Sequence, residues 1–263
     1  MSETHLPGGF VNAVVRVGDT VRRTPGQRAA YVHELLRLFE RSGWAAAPRF
    51  LGLDERGREI LSFMDGHVAW EDVQPDGVAS DESLARAAEL VREFHDLTAG
   101  TSLAGEEEVV CHNDLSPRNT VYRGEEPRPV AFIDWDMAGP GRRVHDVAHV
   151  CWQYAGLGPL IADPADAARR VRLICDAYGL RERGEVVETI LWWQDRCRRG
   201  IERDAAQGLA YAIRLREQGA VAQVRACHDW VAEHRAGFER ALRQIEGVAA
   251  SAGCPGEGSS IGT

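Results

Sequence analysis

Lysine is absent from the sequence, and all 31 basic residues of this 263-residue chain are arginine. Acidic residues number 40, so the chain carries a formal net charge of −9. That charge argues against nucleic-acid binding through a basic surface. It is compatible with a cationic ligand, although an acidic excess that only aids solubility is the simpler explanation. Hydrophobic residues make up 44% of the chain, enough for one domain or two closely joined lobes.

The sequence also lacks closely spaced cysteines. Its six cysteines are scattered over positions 111, 151, 175, 197, 227 and 254, with no CxxC pair. This pattern is typical of reduced thiols in the cytoplasm. No basic-then-apolar leader opens the chain, and no apolar run approaches membrane-spanning length. We therefore expect a soluble, cytoplasmic protein with no membrane or nucleic-acid partner.

The densest group of chemically capable residues lies in a polar loop between two apolar segments. His112 stands two residues before Asp114, and Asn119 follows five residues after Asp114. Residues 120–122 and 129–133 have the pattern of two paired strands, and Asp134 directly follows the second. The order of a possible base, a metal-holding Asn and a metal-holding Asp is that of a kinase.

Phosphoryl transfer explains why these residue types occur together, since it requires an aligned hydroxyl and neutralised phosphate charge. Asp114 is the candidate base that orients the hydroxyl. Asn119 and Asp134 offer oxygen ligands of the kind that Mg²⁺ shares with ATP phosphates. The alternative is that Asp114 and Asn119 are only turn residues around Pro117.

Three segments carry a resemblance to a known family. Residues 112–119 (HNDLSPRN), 133–139 (IDWDMAG) and 143–149 (RVHDVAH) resemble the aminoglycoside phosphotransferase and choline kinase-like family. The resemblance implies an α+β, bilobal protein kinase-like fold, with a small antiparallel-sheet lobe over residues 1–64 and a mainly helical lobe over 65–246. Residues 247–263, rich in Gly, Ser and Ala, are expected to form a disordered tail.

The same resemblance implies an ATP- and Mg²⁺-dependent kinase that phosphorylates a hydroxyl of a small molecule, such as an aminoglycoside-like antibiotic or an amino alcohol. Gly8, Gly9 and Asn12 would form the loop over the ATP phosphates. The backbone of Ser62 and Met64 would face the adenine, although a plain strand-to-loop exit explains the same residues.

Kinase-like folds place a Lys on the third strand against the phosphates, and this chain has none. Arg23 is the candidate replacement, with Arg22 the alternative because neighbouring strand residues face opposite sides. Glu34, on the predicted helix over 28–42, is the candidate partner for that cation; it could equally be an ordinary solvent-facing residue.

Three further residues near the motif are candidates for holding its loops in place. His112 is expected to pack and orient the loop. Asp136 either reaches a second metal or fixes the loop. Asp146 is expected to cap the next helix and anchor the loop.

Helical patterns continue over residues 80–97, 164–178, 182–206 and 208–246. They carry four carboxylates that could line an acidic cleft for a cationic acceptor: Glu188, Asp195, Glu202 and Asp204. Four arginines among them could neutralise the same surface.

The absence of this lysine suggests a second hypothesis for the function. Loss of that lysine often accompanies loss of catalysis in this fold, so a non-catalytic nucleotide-binding pseudokinase or an immunity-type binding protein is the alternative function.

Overall fold

The computed structural model describes residues 3–6, 14–71 and 73–243. An antiparallel sheet of five strands comes first, in the spatial order β1-β2-β3-β5-β4. Its strands are β1 (Thr4–His5), β2 (Val15–Val17), β3 (Thr20–Arg23), β4 (Phe50–Leu53) and β5 (Glu59–Ser62). β2 and β3 form one hairpin, and β4 and β5 form a second. The first turns at Gly18, whose φ of 60° suits a residue without a Cβ.

Helix α1 (Ala29–Arg41) lies between the hairpins in sequence. Its buried face consists of Val32, Leu35, Leu36 and Phe39, as the spacing predicts. Phe39 contacts Trp135 with ring centroids 5.0 Å apart. The helix is therefore packed against the segment that follows Asp134.

The helical part begins with α2 (Asp81–Thr98), which Ser80 caps by accepting a hydrogen bond from the Ser83 amide. The remaining helices are α3 (Arg143–Tyr154), α4 (Pro164–Tyr178), α5 (Val186–Ala206), α6 (Ala210–Glu217) and α7 (Ala220–Arg243). α5 packs against α3, α6 and α7. No helix in the described ranges is both long and apolar enough to cross a membrane.

The prediction of one helix over residues 208–246 is wrong. The chain breaks between α6 and α7 at Gly219, which has a φ of +81°. A left-handed residue ends an α-helix because it turns the chain out of the helical path, and Gly adopts that conformation at little cost.

Two small sheets carry the loops of the candidate site. One has the order β6-β8-β9, formed by β6 (His67–Val68), β8 (Thr120–Arg123) and β9 (Arg128–Phe132). The other pairs β7 (Val109–Cys111) with β10 (Gly139–Gly141), a strand that the sequence pattern does not predict. A continuous buried apolar cluster runs from α1 through these strands to α7. This core fixes the loops that leave β7 and β9 relative to each other.

Candidate active site

The loop after β7 holds Asp114 by way of Asn119. The Asn119 side-chain Nδ2 donates to the backbone carbonyl and to Oδ2 of Asp114, both at 2.8 Å. Because its nitrogen is used in this way, the amide oxygen of Asn119 is the atom left for a metal ion. The Ile133 amide donates to the Asn119 carbonyl at 2.9 Å. The β8–β9 hairpin therefore brings Asn119 next to Asp134.

Asp146 anchors this loop from below. Its carboxylate is fully buried and accepts hydrogen bonds from the His112 amide at 2.6 Å and the Asn113 amide at 3.0 Å. Burial alone would raise the pKa of Asp146, but hydrogen bonds from His95 and the Asn113 amide hold it below its usual value. The predicted anchoring contact is present. The predicted capping role is wrong, because Asp146 lies inside the first turn of α3 and Arg142 precedes the helix.

His112 is buried beneath the loop. Its Nε2 donates to the Ile133 carbonyl at 3.1 Å, and its ring lies 4.4 Å from the Trp135 ring. These contacts fit the predicted packing role, since they join the loop after β7 to the loop after β9.

Arg23 reaches both acidic residues that follow β9. Its Nη1 lies 3.2 Å from Oδ1 of Asp134, and its Nη2 lies 2.5 Å from Oδ1 of Asp136. Asp134 itself adopts a left-handed conformation, with φ 63° and ψ 64°. Arg22, one residue earlier, faces the other side of the sheet near Asp54. Of the two arginine candidates, the structure thus directs Arg23 into the site.

The carboxylate that holds Arg23 belongs to Glu59 on β5, directly opposite Arg23 in the strand pair. Glu59 is 1% exposed and lies 2.7 Å from Arg23 Nε. His33 Nε2, on α1, donates to the other oxygen of Glu59 at 2.6 Å. The predicted contact between Glu34 and Arg23 is wrong: Glu34 is exposed and pairs with Arg37. α1 therefore reaches the strand cation through a histidine and a second carboxylate.

The site contains more negative than positive charge. Burial raises the pKa of Asp114 to about 7, with the charge of Asp134 acting in the same direction. Burial and the charge of Asp136 also raise the pKa of Asp134, against the opposing effect of Arg23. A hard divalent cation would relieve this excess, and the oxygen atoms of Asp134 and Asn119 are suitable ligands for it. The residues present thus fit a magnesium site.

The raised pKa of Asp114 predicts a pH-dependent effect on stability. A folded-state pKa above the unfolded value means that the ionised carboxyl, present above about pH 7, destabilises the fold. In Mg²⁺-free buffer at pH 8, Asp114→Asn should stabilise the protein by roughly 1–3 kcal/mol, or several degrees in Tm. Asn can still accept the hydrogen bond from Asn119. The gain should shrink as the pH is lowered from 8 to 5, because the wild-type carboxyl then becomes protonated.

Differential scanning fluorimetry at both pH values measures this effect. Asp163→Asn is the matched control, because it removes the same charge at the N-cap of α4, where Asn also caps well. An Asp114→Asn gain that is the same at pH 5 and pH 8 would contradict the assigned cause.

The remaining residues predicted to contact the nucleotide are Gly8, Gly9, Asn12, Ser62 and Met64. Gly8, Gly9 and Asn12 lie outside the described residues. The Ser62 amide donates to the Arg49 carbonyl at 2.9 Å, so this donor is already used, and a contact of the Ser62 carbonyl with adenine stays a prediction. Met64 is half-buried against the core, and its contact with adenine stays a prediction.

The acidic cleft expected on the last helices is not formed by free carboxylates. Asp195 pairs with Arg198 and Arg199, and Arg198 also holds Glu202. Glu188 pairs with Arg235, and Asp204 pairs with Arg203. The basis of the acidic-cleft prediction is therefore wrong.

Comparison with known proteins agrees with this geometry. The family described as the phosphotransferase enzyme family matches residues 99–189, which include the loop of Asp114 and Asn119 and the loop of Asp134. The chain is 33% identical, over 275 aligned residues, to the trifolitoxin immunity protein of Rhizobium leguminosarum bv. trifolii. That alignment covers 91% of this chain and 98% of the relative.

Solved structures share the fold at low sequence identity. A choline/ethanolamine kinase family protein from Mesorhizobium loti superposes with a TM-score of 0.57 at 20% identity, covering 92% of this chain and 91% of that one. The GDP complex of aminoglycoside 2'-phosphotransferase-IIIa gives a TM-score of 0.54 at 14% identity, covering 92% of each chain. At these identities the likeness establishes the kinase-like fold.

Fold and site together define a kinase-like small-molecule phosphotransferase. Over nearly its whole length the chain belongs to the same family as the trifolitoxin immunity protein, and its residues 99–189 match the phosphotransferase enzyme family.

Proposed function

We propose that this protein is an ATP- and Mg²⁺-dependent O-phosphotransferase that acts on a hydroxyl group of a small molecule. The observation that carries the proposal is the assembly of Asp114, Asn119 and Asp134 at one point, with the Arg23 guanidinium directed at Asp134. A kinase needs a base, metal-holding oxygens and a cation for the phosphates, and these residues supply all three.

In the proposed reaction, Asp114 accepts a hydrogen bond from the acceptor hydroxyl and aligns its oxygen with the γ-phosphorus of ATP. The oxygen–phosphorus bond to the acceptor forms while the bond between the γ-phosphorus and the β,γ-bridging oxygen breaks. The hydroxyl proton passes to Asp114, and ADP leaves. Asn119 keeps the carboxylate in place through its 2.8 Å hydrogen bond. A positioned base of this kind contributes about 10²–10⁴-fold to the rate.

Asn119 and Asp134 would hold the magnesium ion, which when bound neutralises phosphate charge. Arg23 would supply the positive charge that a strand lysine supplies in other kinases. Its planar guanidinium can contact two phosphate oxygens at once, whereas a lysine ammonium is a point charge without this fixed geometry. Glu59 and His33 keep that group aimed at the phosphate side of the site.

The acceptor is proposed to be a hydroxyl-bearing small molecule. Two structural neighbours are named for choline/ethanolamine and for an aminoglycoside, so amino alcohols and aminoglycosides belong in the panel of alcohols to be tested. The pairing of the α5 carboxylates with arginines removes the sequence-based reason to favour a cation.

The second candidate function is that of an immunity-type binding protein without catalysis, because the full-length relative bears that name. The two functions differ in their need for Asp114. Protection against a toxin by binding alone would survive Asp114→Asn, whereas protection by phosphorylation would be lost.

Nucleotide binding tests the metal site directly. Isothermal titration with ATP, with and without Mg²⁺, should show tighter binding by the wild type in the presence of Mg²⁺. Asp134→Asn should lose most of that metal-dependent gain, because its neutral amide is a much poorer Mg²⁺ ligand than a carboxylate. Asp163→Asn is again the control and should keep the gain. A full metal-dependent gain in Asp134→Asn would remove Asp134 from the proposed metal site.

A further inference from the structure

A cavity of about 270 Å³ opens beside the catalytic loop, at the residue next to Asp114. It is lined by residues from four parts of the fold, among them Arg28, Asn113, Met137, Gly139, Trp193 and Arg196. These come from the start of α1, the two loops of the site, and α5. Cys197, the neighbour of Arg196, lies close enough to Asp114 for that carboxylate to add to burial in raising the pKa of the thiol to about 11. α5 therefore passes close to the candidate base at this point.

The charged residues that line the cavity are both arginines, and no carboxylate lines it. Within the described ranges, neither Arg28 nor Arg196 has a carboxylate at ion-pair distance. Their neighbours differ in this respect: Arg198 and Arg199, on the same helix as Arg196, both pair with Asp195. In the described part of the chain, Arg196 thus lacks the ion pair that neighbouring arginines of α5 have.

Aromatic rings hold both guanidinium groups. Arg196 lies over the rings of Trp192 and Trp193, at 5.3 and 5.8 Å from their centroids. Arg28 lies 4.9 Å from the Tyr31 ring centroid and against Gly139, where an added Cβ would be 2.6 Å from Nη1. Stacking on a ring face restrains a guanidinium while its N–H edge stays available to a ligand.

Guanidinium groups bind carboxylates and phosphates with two parallel hydrogen bonds. An amine at this place would meet two positive charges and no compensating carboxylate. We infer that the acceptor carries an anionic group, a phosphate or a carboxylate, which Arg28 and Arg196 hold while its hydroxyl faces Asp114. This inference rests on the proposed phosphotransferase function and names its acceptor class.

The test uses the full-length protein with Mg²⁺ and a panel of alcohols. The anionic members are glycerol 3-phosphate, inositol monophosphate and gluconate; the others are glycerol, glucose, ethanolamine, choline and kanamycin. Acceptor-dependent ADP release measures turnover. Titration calorimetry in the presence of a non-hydrolysable ATP analogue measures binding without turnover. Anionic alcohols should bind and react, and cationic ones should not.

Arg28→Gln and Arg196→Gln should each weaken binding of the anionic acceptor by roughly 10- to 100-fold, the effect of losing one charged hydrogen-bonding partner. ATP binding should be unchanged in both variants. Arg199→Gln is the matched control on α5, because its partner Asp195 retains Arg198. Arg196→Lys should fall between wild type and Arg196→Gln, because it keeps the charge and loses the planar fork.

Reaction confined to cationic or neutral alcohols, no binding of any anionic member, or anion binding unaffected in both Gln variants would overturn the inference. Each of these results is compatible with a working kinase that binds ATP. A protein that binds no ATP with Mg²⁺ would overturn the proposed function itself, and the inference with it.

Discussion

Replacing Asp114 by Asn is expected to reduce turnover by about 10²–10⁴-fold while ATP binding with Mg²⁺ is retained. The reason is geometric, since the amide cannot take the hydroxyl proton but can still accept the hydrogen bond from Asn119. The loss should appear in kcat, because the interaction with the hydroxyl strengthens as the proton is transferred. Steady-state ADP release with a competent acceptor provides the measurement.

A loss of turnover caused by unfolding can be distinguished from one caused by removal of the base. Asp114→Asn should be at least as stable as wild type at pH 8, so lost turnover cannot come from unfolding. Asp163→Asn should keep wild-type turnover. A rate near that of the wild type in Asp114→Asn would show that this residue is not the base.

Arg23→Ala is expected to affect both stability and nucleotide use. Arg23 is 9% exposed and contacts three carboxylates, one of them the buried Glu59. Removing one partner of a buried ion pair typically costs about 3–5 kcal/mol, because the remaining charge is left without compensation. For a chain of this size that corresponds to a fall in Tm of roughly 10 °C. The KM for ATP should also rise, since the phosphates lose their strand cation.

Three variants distinguish the effect of Arg23 on stability from its effect on the KM for ATP. Arg23→Lys keeps the charge but cannot contact Glu59, Asp134 and Asp136 together, so it should be intermediate in both properties. The double variant Arg23→Ala, Glu59→Ala should recover part of the lost stability, because no unpaired buried charge remains. Arg22→Ala, one residue earlier on the same strand, should change the KM for ATP little. Equal effects of Arg22→Ala and Arg23→Ala on that KM would contradict the orientation of Arg23 toward the site.

Much of the local structure was readable from the sequence because it depends on near neighbours. The buried face of α1 follows from apolar residues at helical spacing. The start of α2 follows from the capping chemistry of Ser80 or Asp81, and the structure shows that Ser80 is the cap. The β8–β9 hairpin follows from two apolar segments separated by a short turn, and it brings Asn119 near Asp134.

Glu59 and His33 were missed for a physical reason. Glu59 meets Arg23 through the pairing of β3 with β5, which joins residues 36 positions apart. Such a pairing depends on tertiary packing, and no local pattern specifies it. A weak signal existed, because Glu59 opens an apolar strand segment where a buried charge needs a partner. The acidic residue that the sequence offers on α1, Glu34, is exposed and pairs with Arg37.

The pairing of opposite charges on α5 was easier to predict from the sequence. Asp195 lies three and four residues before Arg198 and Arg199, the spacing at which oppositely charged side chains pair on a helix. Arg28 and Arg196, in contrast, come together across the cavity only because α1 and α5 approach the same loops. Their positions could not be inferred from sequence spacing.

The most direct test of the central claim is ³¹P NMR of ATP, Mg²⁺ and the alcohol panel incubated with the wild-type protein. Transfer to a hydroxyl predicts a new phosphomonoester or bisphosphate resonance that grows in step with ADP, and its absence from the same mixture with Asp114→Asn. Inorganic phosphate as the sole product with every alcohol, or the same new resonance in the Asp114→Asn sample, would contradict phosphoryl transfer through Asp114.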